Sequence, residues 1–294
     1  MTAVSKVTLN GTTLMDVTSA TATASKIIAP YTAMTADGVM TTGTGSDGVD
    51  YLIESLNNTL TTYSSNDITS LPERAFINRT NLQSISLPNV TSSGERPFSG
   101  CTNLTYANLP KLTTIPQYMF YQCPNLASYD FSDIINLTNQ HAFDGTGITG
   151  LYAPKCTGIG TWGNWHIANC EDLLYSRTPI ASGTMREACF RNDTSLKLVD
   201  CGSVNNFSVG GNFQDCTSLE ILILRSTTMA TLGNVNNFSG VTQNVKVYVP
   251  SNLKSTYEAG TDWSTLVANG ILTFYNLENS AYEETDFVYM GVPA

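Results

Sequence analysis

The chain has 294 residues and a formal net charge of −10, and only 13% of its residues are charged. Nucleic acids and anionic membranes both bind basic faces, so this charge argues against either as a partner. No stretch approaches the roughly 20 apolar residues of a membrane-spanning helix, and Met1 to Val7 lacks the features of a secretory signal peptide, so we expect a soluble chain without membrane insertion.

Residues 1–45 are predicted to form a small N-terminal module rich in β-hairpins. Asn10-Gly11 and Asp37-Gly38 each lie between short strand-like runs, and such dipeptides are the strongest short signal for a hairpin turn. Residues 22–28 favour a short helix. Because the module has little core of its own, we expect it to attach the chain to a partner or to join copies into a homo-oligomer.

A repeated phrase organises the next part of the chain. One large apolar residue, at what we call the Phe slot, recurs every 22 to 25 residues, and such a period predicts a solenoid whose units are stable only when stacked. We assign residues 71–250 to about eight units, and residues 46–70 to a linker and N-terminal cap that includes Leu52, Ile53, Leu56 and Leu60. The Phe slots are Phe76, Phe98, Phe120, Phe143, Ile167, Phe190, Phe213 and Phe238.

Each unit contains one predicted short strand. Two apolar residues with one residue between them, such as Ile85 and Leu87, follow most Phe slots, and this spacing puts both on the inner face of a strand. Stacked units then form a parallel sheet along the solenoid. The fold class is therefore α+β and mainly β. The residue between each apolar pair points outward, which gives a row that we assign as Ser86, Asn108, Asp130, Tyr152, Arg177, Asp200, Ile223 and Lys246.

Residues 251–294 break the repeat and are predicted to form a C-terminal cap and an acidic tail. Apolar residues from Leu253 to Leu266 favour a short helix and a turn over the last unit, and residues 271–275 favour a closing strand. The tail after Glu278 combines acidic residues with an aromatic end, so we expect a disordered terminus, with docking on another subunit as the alternative.

The cysteines follow the repeat. Free cysteine packs as a small apolar residue, so we expect the six in regular slots to be buried and mostly reduced, with a disulfide between neighbouring units as a lesser alternative. No pair has zinc-ligand spacing and only two histidines occur, so no metal or cofactor is expected. The six are Cys101, Cys123, Cys156, Cys170, Cys201 and Cys216.

No catalytic arrangement is visible. His141 and His166 lie in turns without a nucleophile or carboxylate at a repeat-aligned position, and no known catalytic or phosphate-binding motif occurs. Asp130 and Asp200 are outward but three units apart, about 15 Å at roughly 5 Å per strand. That separation exceeds the roughly 5 to 9.5 Å of a glycosidase carboxylate pair, so we expect no catalytic residues and no enzyme.

The candidate binding residues therefore lie on the outward row and on one irregular loop. From the row we select Asn108, Asp130, Tyr152, Arg177, Asp200 and Lys246, which mix aromatic, charged and amide groups, although a merely solvated row fits as well. Trp162 and Trp165 lie on a Gly-rich connection, where they either tuck under the coil or form an exposed binding platform.

Residues 71–130 resemble the BspA-like leucine-rich repeats of bacteria and their phages, through Ala75-Phe76, Leu82-Gln-Ser-Ile-Ser-Leu-Pro88 and Phe98 to Pro110. The ending Val247-Tyr-Val-Pro250 followed by Tyr257 and Asp262-Trp263 is similar to the C-terminal closure of such arrays. This resemblance, which covers roughly residues 50–275, implies a leucine-rich-repeat solenoid. It leaves function open, because the family includes adhesins and surface proteins.

The segment from Ala24 to Thr44 is similar to short modules of phage tail-fibre and tail-tip proteins, and family members with this arrangement tend to come from gut Firmicutes and their prophages. The combined resemblance implies a virion tail protein that binds a bacterial cell-surface glycan or protein and contacts other tail proteins through its N-terminal module. The alternative is a bacterial surface or secreted adhesin, and a glycan-processing enzyme is a lesser one.

Overall fold

The computed structural model describes residues 60–137, 139–159, 164–208 and 210–288, together with the backbone of four short strands before residue 43. These four strands form two antiparallel hairpins, as the Asn-Gly and Asp-Gly turns predicted. The predicted helix at residues 22–28 lies outside the described residues. The hairpins are β1 (Val7–Leu9) with β2 (Thr12–Met15), and β3 (Thr32–Met34) with β4 (Met40–Thr42).

The repeated strands pair in parallel, in register from one unit to the next, as the sequence predicted. Pairing begins before residue 71 and continues beyond residue 250. This first ladder contains β5 (Thr62–Ser64), β7 (Ser84–Ser86), β9 (Tyr106–Asn108), β11 (Gly150–Tyr152), β13 (Tyr175–Arg177), β15 (Leu198–Asp200), β17 (Ile221–Ile223), β19 (Val245–Val249) and β20 (Leu272–Asn276).

The first ladder is interrupted at the third unit. Strands β5, β7 and β9 form one sheet, and β11, β13, β15, β17, β19 and β20 form another, with no strand at residues 129–131 between them. The ring of Tyr129 packs between Phe120 and Phe143, with centroid distances of 5.3 and 5.7 Å. Asp130 accepts a hydrogen bond from the Ser132 N–H at 2.9 Å, which turns the chain locally. The prediction of one uninterrupted sheet is therefore wrong at this unit.

A second parallel ladder, which the sequence did not predict, lies on another side of the solenoid. Its strands are short, with two to five residues each. It is divided into one sheet of β6 (Ser70–Leu71) and β8 (Ser92–Ser93), and another of β10 (Asn136–Leu137), β12 (Gly158–Ile159), β14 (Ser182–Met185), β16 (Ser203–Phe207) and β18 (Thr231–Leu232).

Each Phe slot lies in a turn segment, and seven of the eight have a residue of positive φ on both sides, whereas Phe238 has only Gly240 after it. The left-handed residues come two before and two after the slot, as in Tyr118 (φ 54°) and Gln122 (φ 57°) around Phe120. Backbone N–H groups at these positions and at the slot donate to carbonyls of the next unit, for example Phe98 N to Met119 O at 3.1 Å. These hydrogen bonds between units satisfy the backbone N–H and C=O groups of the turn segments, although no strand forms there.

The Phe slots stack in the core, as predicted, and all eight are buried. Phe98 and Phe120 have ring centroids 5.4 Å apart at 13°, and Phe190 and Phe213 are 5.9 Å apart at 6°. All seven cysteines are buried with free thiols, which confirms the predicted burial and adds Cys189 to it. Burial raises the pKa of the Cys156 thiol to about 11, so the thiolate needed for exchange chemistry is disfavoured.

Aromatic residues close both ends of the described solenoid. Tyr63 packs on Phe76 at one end, with Leu60 of the predicted cap beside the core, while Leu52, Ile53 and Leu56 lie outside the described residues. At the other end two helices, α1 (Lys254–Ala259) and α2 (Thr261–Ala268), cover the last unit, where one helix was predicted. A 3-10 turn, Val235–Phe238, precedes them. No helix within the described residues is long and apolar enough to cross a membrane.

Candidate functional site

The outward side of the first ladder, which we call the strand face, carries most of the predicted binding residues. Its central row is fixed by strand pairing, which aligns Tyr152 with Arg177, Arg177 with Asp200, and Asp200 with Ile223. Ile223 then pairs with Tyr248, so the assignment of Lys246 to this row is wrong. Lys246 pairs with Ile221, lies two residues earlier on the same side of β19, and is exposed.

The N-terminal half of the strand face is open. Tyr106 on β9 is 52% exposed and Tyr152 on β11 is 36% exposed. Asn108 donates a hydrogen bond to the Ser86 Oγ at 3.1 Å, so amide and hydroxyl groups lie beside the exposed rings. Asp130 is exposed nearby, in the turn that interrupts the ladder rather than on a strand. This half therefore presents two tyrosine rings among polar groups.

The C-terminal half of the strand face is covered by the chain itself. Residues 277–288, which we call the strap, cross β13, β15 and β17, where Leu277, Tyr282 and Phe287 pack against Leu198 and Ile223. This cluster is separate from the main core inside the solenoid. The prediction of a disordered tail is therefore wrong for residues 278–288, because Leu198 and Ile223 beneath them form an apolar patch against which the aromatic rings of the strap pack.

Arg225 connects the solenoid to the strap. Its guanidinium forms a bidentate pair with Asp200, with Nη2 to Oδ2 at 2.9 Å, and both side chains are buried. The same guanidinium donates to the carbonyls of Tyr282 at 2.8 Å and Glu283 at 2.7 Å. Asp200 was predicted to face solvent, and it is instead fully buried as the partner of this arginine.

Arg177 makes the second connection. Its Nη1 donates to the Phe287 carbonyl at 2.7 Å and its Nη2 to the Thr285 carbonyl at 2.5 Å. The guanidinium lies between two rings, 3.7 Å from the centroid of Phe287 and 4.6 Å from that of Tyr152. Desolvation by burial lowers the pKa of Arg177, and the charge of Asp200 opposes this shift. Arg177, also predicted to be outward and exposed, is therefore buried beneath the strap.

Trp165 belongs to a different surface, on the turn side that carries the Phe slots. It stacks on His141 at 6.2 Å and 13°, His141 stacks on Tyr118 at 4.9 Å and 9°, and Arg96 lies over Tyr118 at 4.4 Å. Arg191 lies over Trp165 at 4.9 Å. Because the ring faces contact one another, only their edges are exposed, and Trp165 offers no free platform. Trp162 lies outside the described residues.

One carboxylate lies beside a histidine, contrary to the expectation that neither histidine has such a partner. The His141 Nδ1 is 2.5 Å from the Asp144 Oδ2, and Asn169 donates to the Asp144 Oδ1 at 2.7 Å. The faces of His141 are used in stacking, and Asp144 is buried. This geometry holds neighbouring units together. Within the described residues, no group of three metal-ligating side chains comes together.

Four residues of the strand face escaped the sequence analysis. Tyr106 was not selected because it lies beside the row rather than in it, and the strap residues Tyr282 and Phe287 belong to no repeat. A signal for Arg225 was available, because it occupies the position at which Pro88, Pro110 and Pro250 end their strands. An arginine in a slot that several other units fill with proline points to a contact that those units lack.

Comparison with known proteins identifies the repeat. The profile of the BspA type Leucine rich repeat region matches residues 54–174 and 166–260, in 6 copies. A crystallised leucine-rich repeat protein from Bacteroides ovatus is 20% identical, with a TM-score of 0.39, and the match covers 66% of this chain and 64% of that one, less than two thirds of its length. A leucine rich cell surface protein from Faecalibacterium prausnitzii is 14% identical, with a TM-score of 0.29 and coverage of 79% and 83%. No curated protein matches the chain. Because the profile matches most of the chain, the protein belongs to the BspA-type leucine-rich repeat family.

Proposed function

We propose that the protein is a non-enzymatic adhesin of a bacterial surface, which binds a cell-surface glycan or protein through the open half of its strand face. The observation that carries this proposal is the pair of exposed rings on the open half, Tyr106 and Tyr152, with the hydrogen-bonding groups of Asn108 and Ser86 near Tyr106. Tyrosine gives apolar contact and a polar hydroxyl at low conformational cost, which suits recognition of sugars and polypeptides.

The arrangement of the open half supports binding rather than turnover. The two tyrosines lie on strands two units apart, roughly 10 Å at about 5 Å per unit, and rigid neighbouring units hold them. A contact surface of this kind is shallow, so each copy binds weakly. We further propose that copies join through residues 1–45, since linked sites raise avidity by factors of roughly 10² to 10⁴.

A second candidate function is attachment to a phage tail, with the solenoid facing the host. The observation that favours it is the pair of N-terminal hairpins, β1 with β2 and β3 with β4, in the segment similar to tail-fibre modules. Deletion of residues 1–45 then prevents incorporation into the particle and leaves the solenoid folded. Negative-stain microscopy and thermal unfolding of the deleted protein test both parts, and normal incorporation contradicts this candidate.

The adhesin proposal is tested by substitution on the open half. We expect Tyr106→Ala combined with Tyr152→Ala to lower binding of labelled protein to bacterial cells at least tenfold, measured by flow cytometry. A matched control is Ile135→Ala with Ile180→Ala, which removes exposed apolar side chains of 41% and 49% exposure away from this face.

Two results contradict the proposal. The first is unchanged cell binding by the tyrosine variant when its melting temperature equals that of the parent protein. The second is an equal loss in the isoleucine control, which indicates nonspecific apolar adhesion. A glycan array with the parent protein separates the two ligand classes, because a protein ligand gives no array signal while cell binding persists.

A further inference from the structure

The strap is held mainly through its backbone. Arg225 donates to the carbonyls of Tyr282, Glu283 and Glu284, at 2.8, 2.7 and 3.2 Å, and Arg177 donates to those of Thr285 and Phe287. Three successive carbonyls converge on one guanidinium because the strap turns there, with the Asn279 N–H bonded to the Glu283 carboxylate at 2.8 Å. Contacts of this kind recognise the shape of a polypeptide turn and need few particular side chains.

Two strap side chains add specificity. Tyr282 packs edge-on against Tyr248 at 4.8 Å, and Phe287 covers the guanidinium of Arg177 at 3.7 Å. Most other strap residues are exposed, including the acidic side chains of Glu283, Glu284 and Asp286. Because the strap's apolar cluster lies outside the main core, the solenoid keeps its core when the strap leaves.

Part of the surface beneath the strap is held in place by the solenoid alone. Asp200 also accepts from the Gly202 N–H at 3.1 Å, and with this backbone contact it orients Arg225 from inside the solenoid. The Arg177 Nε is buried with no hydrogen-bond partner within the described residues, so this cation has an unused donor. The guanidinium of Arg225, fixed by Asp200 beside an apolar patch of Leu198 and Ile223, is a feature of a binding site rather than of an ordinary exposed strand.

We propose that the C-terminal half of the strand face is a docking site for a polypeptide turn bearing two aromatic residues five positions apart, and that the strap occupies it in cis. The partner is a polypeptide segment with the chemistry of the strap. Its backbone carbonyls accept hydrogen bonds from Arg177 and Arg225, one of its aromatic rings packs on Tyr248, and the other covers the guanidinium of Arg177. This site is distinct from the open half of the strand face and does not depend on its function.

The strap sets a minimum affinity that such a partner must have in order to displace it. A tethered segment competes at an effective concentration of about millimolar, so a free segment of equal affinity displaces little of it. A partner gains access when it binds more tightly or when the strap is weakened. The docking site is thereby closed to weak and nonspecific polypeptides.

The test uses the full chain with Tyr282→Ala and Phe287→Ala, which weakens its own strap, and a fluorescein-labelled peptide with the sequence of residues 277–288. We expect the variant to bind the peptide at least tenfold more tightly than the parent protein does, measured by anisotropy. Hydrogen exchange on the same sample is expected to show faster exchange of strap amides and unchanged exchange in β15 and β17.

Two controls define the site. A peptide carrying the same two alanines is expected not to bind, and Arg177→Met in the weakened variant is expected to abolish binding of the unaltered peptide. Equal binding to parent and variant, binding of the alanine peptide, or a strap that stays protected in the variant each overturns the proposal. Dimers of the parent protein that depend on Tyr282 and Phe287 likewise overturn the cis assignment, because a second copy's strap then fills the site. None of these readouts involves cells, so they stand apart from the adhesin test.

Discussion

At the third position after the Phe slot, cysteine makes the same hydrogen bond in several units. The thiols of Cys101, Cys123 and Cys216 each donate to the Phe-slot carbonyl of the preceding unit, at 3.0, 3.1 and 2.9 Å. Asp193 takes this position in the sixth unit, fully buried, and its Oδ1 accepts from the Cys170 N–H at 2.8 Å. Desolvation by burial raises the pKa of Asp193 well above its usual value, which favours a neutral carboxyl.

We predict that Asp193→Asn stabilises the protein at neutral pH. The asparagine keeps the acceptor for Cys170 and removes the cost of neutralising a buried carboxylate. In the parent protein the folded pKa is above the unfolded value near 3.8, so stability is greatest below that pH and falls as pH rises through the folded pKa. The loss is about 1.4 kcal/mol for each pH unit between the two values.

Urea unfolding of both proteins between pH 3 and 7 measures this difference. We expect the stability gap to be smallest near pH 3 and to widen with pH. Asp193→Cys, which restores the residue found in four other units, serves as the matched control and is expected to show the same widening. A gap that stays constant with pH contradicts a raised pKa for Asp193.

At the scale of elements, the C-terminal cap is anchored by two aromatic side chains that both form hydrogen bonds with the backbone of one residue, Ala230. The indole Nε1 of Trp263 donates to the Ala230 carbonyl at 2.8 Å, and the Tyr257 hydroxyl accepts from the Ala230 N–H at 2.7 Å. Trp263 also packs against Phe238, the last Phe slot. Helices α1 and α2 thus close the core and provide hydrogen-bond partners for the backbone N–H and C=O groups of Ala230, just before β18.

We predict that Trp263→Ala lowers the free energy of unfolding by about 3 to 5 kcal/mol, the usual cost of removing a large buried aromatic residue. Trp263→Phe keeps most of the apolar contact and loses the hydrogen bond, so a smaller loss of about 1 kcal/mol or more is expected. Urea unfolding measures both. Equal losses in the two variants contradict the importance of packing at this cap.

The elements that follow from local spacing were predictable, and those built by distant contacts were not. The Phe slots and the inner pairs such as Ile85 and Leu87 repeat at regular intervals, so their burial follows from their position within the repeat. The strap depends on Arg177 with Phe287, 110 residues apart, and on Arg225 with Tyr282, 57 residues apart. No periodic signal connects such pairs, so the open half of the candidate site, apart from Tyr106, could be inferred and the covered half could not.

At the scale of the whole molecule, the interruption at residues 129–131 divides the first ladder. The N-terminal sheet has three strands, and the C-terminal sheet has six together with α1, α2 and the strap. In a solenoid each unit is stabilised chiefly by its neighbours, so a missing row of ladder hydrogen bonds weakens coupling at one boundary. The two parts therefore differ in local stability.

We predict that amides of β7 and β9 exchange with lower opening free energies than those of β15 and β17. Native-state hydrogen exchange in low denaturant measures these values. We expect the N-terminal part to open first, as a unit bounded near Tyr129. A single opening free energy shared by all four strands contradicts this division.

The path of the strap also determines where Val288, the last residue described at this end, lies. Because the Phe287 carbonyl bonds to Arg177 in the fifth unit, the chain runs back from the C-terminal cap and reaches the middle of the solenoid. Val288 is therefore near Tyr152 and away from the ends of the long axis. A dye attached at Val288 reports on the middle of the strand face, and a bulky substituent there obstructs it.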